Sequence, residues 1–243
     1  MSTQQPEITL AGRELVVQAG TTAGAALAEA GLGDQQPGAH AVIAARVNGQ
    51  LRDLACPVEP GDVIEPVLIS DPGGRAILRH STAHVMAQAV QDINADAKLG
   101  IGPPVENGFY YDFDVDQPFE PDNLKAIEAR MRQIVKQGQR FSRRVVSDDE
   151  ARSELAGEPY KLELIGLKGG SVSAADDESV EVGGSELTIY DNLNPGTGEV
   201  IWKDLCRGPH LPTTRFIPAF KLMRSGGAYW RGSEKNPQLQ RIY

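Results

Sequence analysis

The sequence predicts an α+β fold in two parts, a small sheet-rich unit over residues 1–70 and a larger two-layer α/β unit over residues 75–243. Three observations predict it. Short strand-like runs in residues 1–70 surround a single helical stretch. The tetrapeptide Asp71-Pro72-Gly73-Gly74 then interrupts the pattern as a short linker. Beyond it, two long stretches carry apolar residues at helical spacing, and several strand-like runs follow.

In the first unit, residues 8–10 and 14–17 flank Ala11-Gly12-Arg13, a hairpin signal. Thr21 and Thr22 can cap a helix over residues 25–30, which Gly31 ends. Residues 41–47 and 51–54 flank Asn48-Gly49, a turn that accepts positive φ at both positions. Pro60-Gly61-Asp62 turns into a last strand over residues 63–69. The order β-β-α-β-β-β is the pattern of a β-grasp fold.

In the second unit, a helix is predicted over residues 75–94. Leu78, Thr82, Val85, Met86, Ala89 and Ile93 form its buried stripe. Residues 102–112, rich in Gly, Pro and aromatics, are expected to turn and feed a strand. A second helix is expected over residues 122–137, with Asp122 as N-cap and Gly138 just past its end. Its apolar face is Leu124, Ile127, Met131 and Ile134. Residues 160–167 fit a strand or a short helix. Residues 168–184 form a Gly/Ser/acidic stretch expected to be a mobile loop, and strands follow over residues 187–190 and 200–205.

Composition bounds the function. With 40% apolar and 23% charged residues, the chain can bury a sizeable core. No run approaches the roughly 18 apolar residues of a membrane span. The start, Met-Ser-Thr-Gln-Gln-Pro, lacks the apolar region of a signal peptide. Two distant cysteines, Cys56 and Cys206, suit a reduced, cytoplasmic protein rather than a disulfide framework. A net charge of -9 argues against coating nucleic acid by bulk charge. One stretch opposes it: residues 125–144 hold seven Lys and Arg against Glu128 alone, a candidate phosphate-contacting surface or a solvated helix face.

The chemistry-bearing residues fall in two clusters. His80 and His84 are i and i+4, on one helix face and roughly opposite the Leu78/Val85/Ala89/Ile93 stripe, so they are expected to look toward a cleft or solvent. Cys206-Arg207-Gly208-Pro209-His210 cannot continue a helix through Pro209 and is expected to be a strand end that turns sharply. Four N and S ligands match tetrahedral zinc. Neutral imidazoles can equally orient a substrate or move protons for attack by water. Cys206 activated by His210 is a third option. An acyl-thioester is an unnecessary intermediate for an already activated ester.

Arg79-His80-Ser81-Thr82-Ala83-His84-Val85-Met86 resembles the helix signature of the editing domain of threonyl- and alanyl-tRNA synthetases. Residues 204–212, Asp-Leu-Cys-Arg-Gly-Pro-His-Leu-Pro, resemble the partner signature of the threonyl branch, and residues 102–112 and 220–232 resemble further segments of it. Residues 1–70 resemble its N-terminal TGS domain. The resemblance covers nearly the whole chain. It implies that the last ~20 residues lead toward an aminoacylation domain absent here, where ATP and zinc would bind. The chain should then be a monomer that does not activate threonine.

The resemblance also implies an activity and its residues. Serine is threonine without a methyl group, and a missing methyl weakens binding by only about 1–3 kcal/mol. A second site that admits serine and clashes with the methyl of threonine restores fidelity by hydrolysing Ser-tRNA(Thr). His80 and Lys161 resemble the family's catalytic positions, where they would polarise the terminal adenosine and the ester. His84 and His210 would hold the attacking water or the seryl group. Asp204 would bind the seryl amine or hydroxyl, Cys206 would shape the wall, and Tyr111 would contact the substrate or the 3′-terminal adenosine of tRNA(Thr). The alanyl branch uses zinc and the threonyl branch does not. Arg207-Gly208-Pro209 belongs to the threonyl pattern, so no cofactor is expected. The alternatives are a zinc-dependent alanyl-type hydrolase, with zinc at His80, His84, Cys206 and His210, and a non-catalytic tRNA-binding module.

Overall fold

The computed structural model describes residues 6–32, 36–167 and 186–243. The chain is α+β, with sheets of five, three, four and two strands among the described residues. Strands β1 (Glu7–Leu10) and β2 (Arg13–Val16) form a hairpin over Ala11 and Gly12, both at positive φ. That twist matches the right-handed twist of the strands. Helix α1 (Ala23–Glu29) follows, with the Thr22 hydroxyl accepting the Ala25 N–H at 3.2 Å. Strands β3 (Val42–Val47) and β4 (Gln50–Asp53) form the second hairpin over Asn48-Gly49, and β5 (Val63–Leu68) returns between β1 and β3. The strand order is β2-β1-β5-β3-β4, with β1 and β5 parallel.

The inner strands of this sheet contribute to cores on both of its sides. Ile8, Leu10, Val42 and Ile64 pack with Leu27 of α1. Ile43, Ala44 and Val67 face the other way, into a core shared with helix α2 (Pro72–Ile93). The expected linker is absent. Asp71 is the N-cap of α2, and its carboxylate accepts the Leu68 N–H at 2.9 Å. Pro72 takes the first helical position, where its missing N–H costs nothing. Gly74 lies so close to the Leu68 carbonyl that a Cβ would collide with it. The Pro-Gly-Gly run is therefore a tight helix start.

Helix α2 is buried at Ile77 and throughout residues 80–90. The expected one-sided stripe does not hold, because sheets and helices cover α2 from several directions. His80 and His84 are buried with it, not turned to solvent, and Ile93 is 52% exposed at its end.

Strands β6 (Lys98–Leu99), β7 (Pro104–Val105), β8 (Gly108–Phe109) and β9 (Tyr111–Asp114) follow. Helix α3 runs Pro121–Gln137. Its N-cap is Glu120 rather than Asp122, since Glu120 and Asn123 form a reciprocal capping box and Pro121 opens the helix. Gly138 ends it at φ +70. Strand β10 (Arg140–Val146) and helix α4 (Asp148–Glu154) were not anticipated by the periodicity, because basic side chains fill the first and acidic ones the second. Residues 160–167 are helical, in α5 (Pro159–Gly166). The expected mobile loop at 168–184 lies outside the described residues.

Strands β11 (Leu187–Leu193) and β12 (Val200–Leu205) pair with β10 in the order β10-β11-β12. Strands β13 (Ser225–Tyr229) and β14 (Gln238–Ile242) join β9 and β6 in the order β13-β14-β9-β6. No helix among the described residues is long and apolar enough to cross a membrane.

The basic stretch at 125–144 is not one surface. It passes from α3 into β10, and much of its charge is matched by carboxylates: Arg130 bonds Asp92, Arg132 bonds Glu128, and Arg144 bonds Glu154 and Asp191. Arg140 and Arg143 face a cleft described below.

Candidate functional site

The site forms where α2, β12 and α5 meet. Helical spacing puts His80 and His84 on one face of α2. Strand alternation puts Trp202 and Asp204 on one face of β12, with Cys206 two residues further on. These faces meet. Cys206 Sγ lies 3.3 Å from His80 Nε2 and 3.3 Å from His210 Nε2. The three imidazole rings have centroids 4.3–4.9 Å apart.

The turn after β12 brings His210 back. Gly208 takes φ +70 and donates its N–H to Cys206 Sγ at 3.2 Å. A side chain there would run into the Tyr190 hydroxyl. His210 stacks on Phe141 at 4.9 Å, its Nδ1 lies 2.9 Å from Ser81 Oγ, and Ser81 Oγ accepts the Leu211 N–H at 3.0 Å.

Lys161 and Asp204 form the charged part. Lys161 Nζ is 3.0 Å from Asp204 Oδ1, with both side chains fully buried, and the Tyr111 hydroxyl donates to Asp204 Oδ2 at 2.6 Å. Lys161 Nζ also lies 5.5 Å from the centre of the Tyr111 ring. Burial pushes the Asp204 carboxyl up, against the pull of the Lys161 ammonium and the Tyr111 hydroxyl. Tyr111 therefore directs its hydroxyl at the site, while its ring stacks on Phe113 at 5.0 Å.

Burial favours the neutral form of the three site histidines. Burial, reinforced by the Lys161 ammonium, pushes His80 down to about 3. Burial lowers His84 as well, followed by the effects of His210, His80 and Lys161. Burial and then His80 lower His210. Neither ring nitrogen of His84 has a hydrogen-bond partner among the described residues, and Asp204 Oδ2 is 3.9 Å from its Nε2. A buried imidazole without a partner is costly, so His84 marks a place for a guest with polar atoms.

The donor set also fits a metal. The ligand atoms of His80, His84, Cys206 and His210 lie within 4.8 Å of one another. Neighbouring donors around a tetrahedral zinc stand roughly 3.3–3.7 Å apart, given bonds of about 2.0–2.3 Å. The two Cys206 distances of 3.3 Å lie at that limit.

All seven residues singled out in the sequence meet in this region, with Lys161 buried on α5, the short helix that is one of the two readings of residues 160–167. Others went unassigned. Ser81 lies inside the helix signature, where its i+1 position beside His80 was the available signal. Tyr190 pairs across the ladder with Asp204, which follows once the β11–β12 register is known. Asp53 accepts the His210 N–H at 2.9 Å and the Tyr190 hydroxyl at 2.7 Å, and nothing local in the sequence marks it.

A cleft of about 600 Å³ opens beside the site. Arg52, Asp53, Arg140, Arg143 and Arg207 line it, and His210 stands in its wall.

Residues 180–243 match the family described as the threonyl and alanyl tRNA synthetase second additional domain. A threonine–tRNA ligase of Thermobifida fusca (strain YX) is 68% identical over 236 residues, which cover 97% of this chain and 35% of that protein. One of Streptomyces griseus is 66% identical over 230 residues, 95% of this chain and 33% of that protein. One of Mycolicibacterium vanbaalenii is 60% identical over 229 residues, 93% and 33% respectively. The chain spans about a third of the length of the curated relatives it matches.

Proposed function

We propose that this chain, which belongs to the threonyl-tRNA synthetase family, hydrolyses Ser-tRNA(Thr) and spares Thr-tRNA(Thr). The observation that carries this reading is the convergence of three buried histidines and Cys206 on a buried Lys161–Asp204 pair, with neither ring nitrogen of His84 hydrogen-bonded among the described residues. A water oxygen attacks the ester carbonyl carbon. The bond between the carbonyl carbon and the ribose oxygen breaks, and the departing ribose oxygen takes up the proton that the attacking water loses.

Each residue has a part. A histidine held near 3 is a poor proton sink at pH 7, so His80 orients the water and the terminal ribose rather than taking the proton. Lys161 places positive charge where the carbonyl oxygen becomes negative. His84 and His210 hold the water or the seryl group. Asp204, fixed by Lys161 and Tyr111, receives the seryl amine or hydroxyl. Cys206 forms the wall that the extra methyl of threonine would strike.

Residues 1–70 fit a TGS module of β-grasp type, supported by the parallel β1–β5 pair crossed by one helix. The arginine-lined cleft leads to His210 and suits the 3′ end of tRNA(Thr) in a cytoplasmic enzyme.

We assign the reaction no metal, because Lys161 already provides the positive charge. The zinc reading is supported by the donor set alone; an ion held by His80, His84, Cys206 and His210 would supply Lewis-acid polarisation. One assay separates the readings. Chelator-treated protein should deacylate Ser-tRNA(Thr) at least about tenfold faster than Thr-tRNA(Thr), the scale of a one-methyl discrimination. Equal rates on the two would end the sieve. Activity lost to the chelator and restored by zinc would transfer the mechanism to the metal.

A further inference from the structure

We propose that Asp53, supplied by the small five-stranded sheet, is a positioning residue for the hydrolytic site. The inference rests on the deacylase reading above. Asp53 ends β4, which lies at the edge of its sheet. Its carboxylate leaves that sheet and reaches a turn 157 residues later in the chain, where Oδ1 accepts the His210 N–H at 2.9 Å. Its other oxygen accepts the Tyr190 hydroxyl at 2.7 Å.

Both contacts act on the same object. Tyr190 packs its ring against His210 at 4.5 Å between centroids, and its hydroxyl fills the space a side chain at Gly208 would need. The turn at 206–211 is thus held from two sides. Ser81 of α2 grips the Leu211 N–H and lies at His210 Nδ1. Asp53 grips the His210 N–H and, through Tyr190, the Gly208 approach. Between these grips His210 Nε2 is set 3.3 Å from Cys206 Sγ.

The surroundings argue that this is the purpose of the carboxylate. Asp53 lines a cleft whose other charged residues are Arg52, Arg140, Arg143 and Arg207. A carboxylate in a cleft suited to phosphate repels that ligand. Binding RNA does not explain it, whereas fixing His210 does. The small sheet is on this view part of the catalytic scaffold, and misplacing a positioned group by about 1 Å costs on the order of 100-fold in rate.

The test uses this whole chain, with steady-state deacylation of Ser-tRNA(Thr) and amide hydrogen exchange at His210. Asp53→Ala should lower kcat by about 10- to 100-fold with KM within about 2-fold, and should speed His210 exchange by about tenfold or more. Asp53→Asn keeps a carbonyl oxygen for the His210 N–H and should return kcat to within about 3-fold of wild type. An unchanged kcat in Asp53→Ala overturns the proposal, and so does an equal fall in both variants. If the wild-type chain does not deacylate, the function fails, and exchange alone judges the contact: protection retained at His210 in Asp53→Ala overturns it. Should Asp53→Ala not fold, Tyr190→Phe frees one side of the carboxylate. A kcat lowered about 3-fold or more at constant KM is then expected, and an unchanged kcat overturns the proposal.

Discussion

The Lys161–Asp204 pair holds two charges where water cannot screen them, since both side chains are fully buried. Removing one partner leaves the other as an uncompensated buried charge, which costs about 3–5 kcal/mol, while removing both together can be nearly neutral. Lys161→Met should therefore destabilise the fold by about 3 kcal/mol in urea unfolding, and Lys161→Met/Asp204→Leu should recover most of that. Both variants should be inactive in deacylation. A double variant as unstable as the single one would mean that packing, not charge, fixes these positions. The sequence marked Lys161 only through the motif it resembles. A lysine between Tyr160 and Leu162 carries no local sign of burial, because its burial depends on an aspartate 43 residues away.

Among the elements, the turn that joins β12 to His210 is the most sharply determined. Gly208 needs φ +70, which glycine adopts without steric cost, and it lies against the Tyr190 hydroxyl. Gly208→Ala should lose about 2 kcal/mol or more of stability, measured by thermal unfolding, and should lower deacylation by displacing Cys206 and His210. A variant with wild-type melting and activity would show that the turn has slack. That this segment turns was legible from Gly208-Pro209. The two hairpins of the first unit were equally legible, through Ala11-Gly12 and Asn48-Gly49. Strand β10 was not, because Arg140, Arg143 and Arg144 read as a charged surface until their pairing along β11 is known. The start of α2 is hidden in the sequence for a related reason. Pro72-Gly73-Gly74 breaks most local patterns, and only the closeness of Leu68 explains why Gly74 must be small.

In the whole molecule, the three site histidines link stability to pH. Their folded values lie below the usual 6.5, so the unfolded chain binds more protons as the solution is acidified below that value. The stability that the neutral rings contribute is present above about pH 6.5 and is lost as pH falls toward the folded values. The melting temperature should drop between pH 7 and 5, and His84→Gln should flatten that drop. A pH-independent melting point over the interval would contradict neutral, buried rings. Asp53, Asp112 and Asp204, which burial raises, act in the opposite direction, adding stability as the pH falls toward the usual carboxylate range. The sequence by itself determined the α+β class, the two hairpins, the shared helix face of His80 and His84, and the turn at Gly208-Pro209. Each follows from steric or periodic rules that act over a few residues. Only the tertiary structure decided that α2 is buried on nearly every side, that Lys161 meets Asp204 out of water, and that Asp53 holds His210. Those contacts join residues far apart in the chain, and their strength comes from desolvation, which no local pattern encodes.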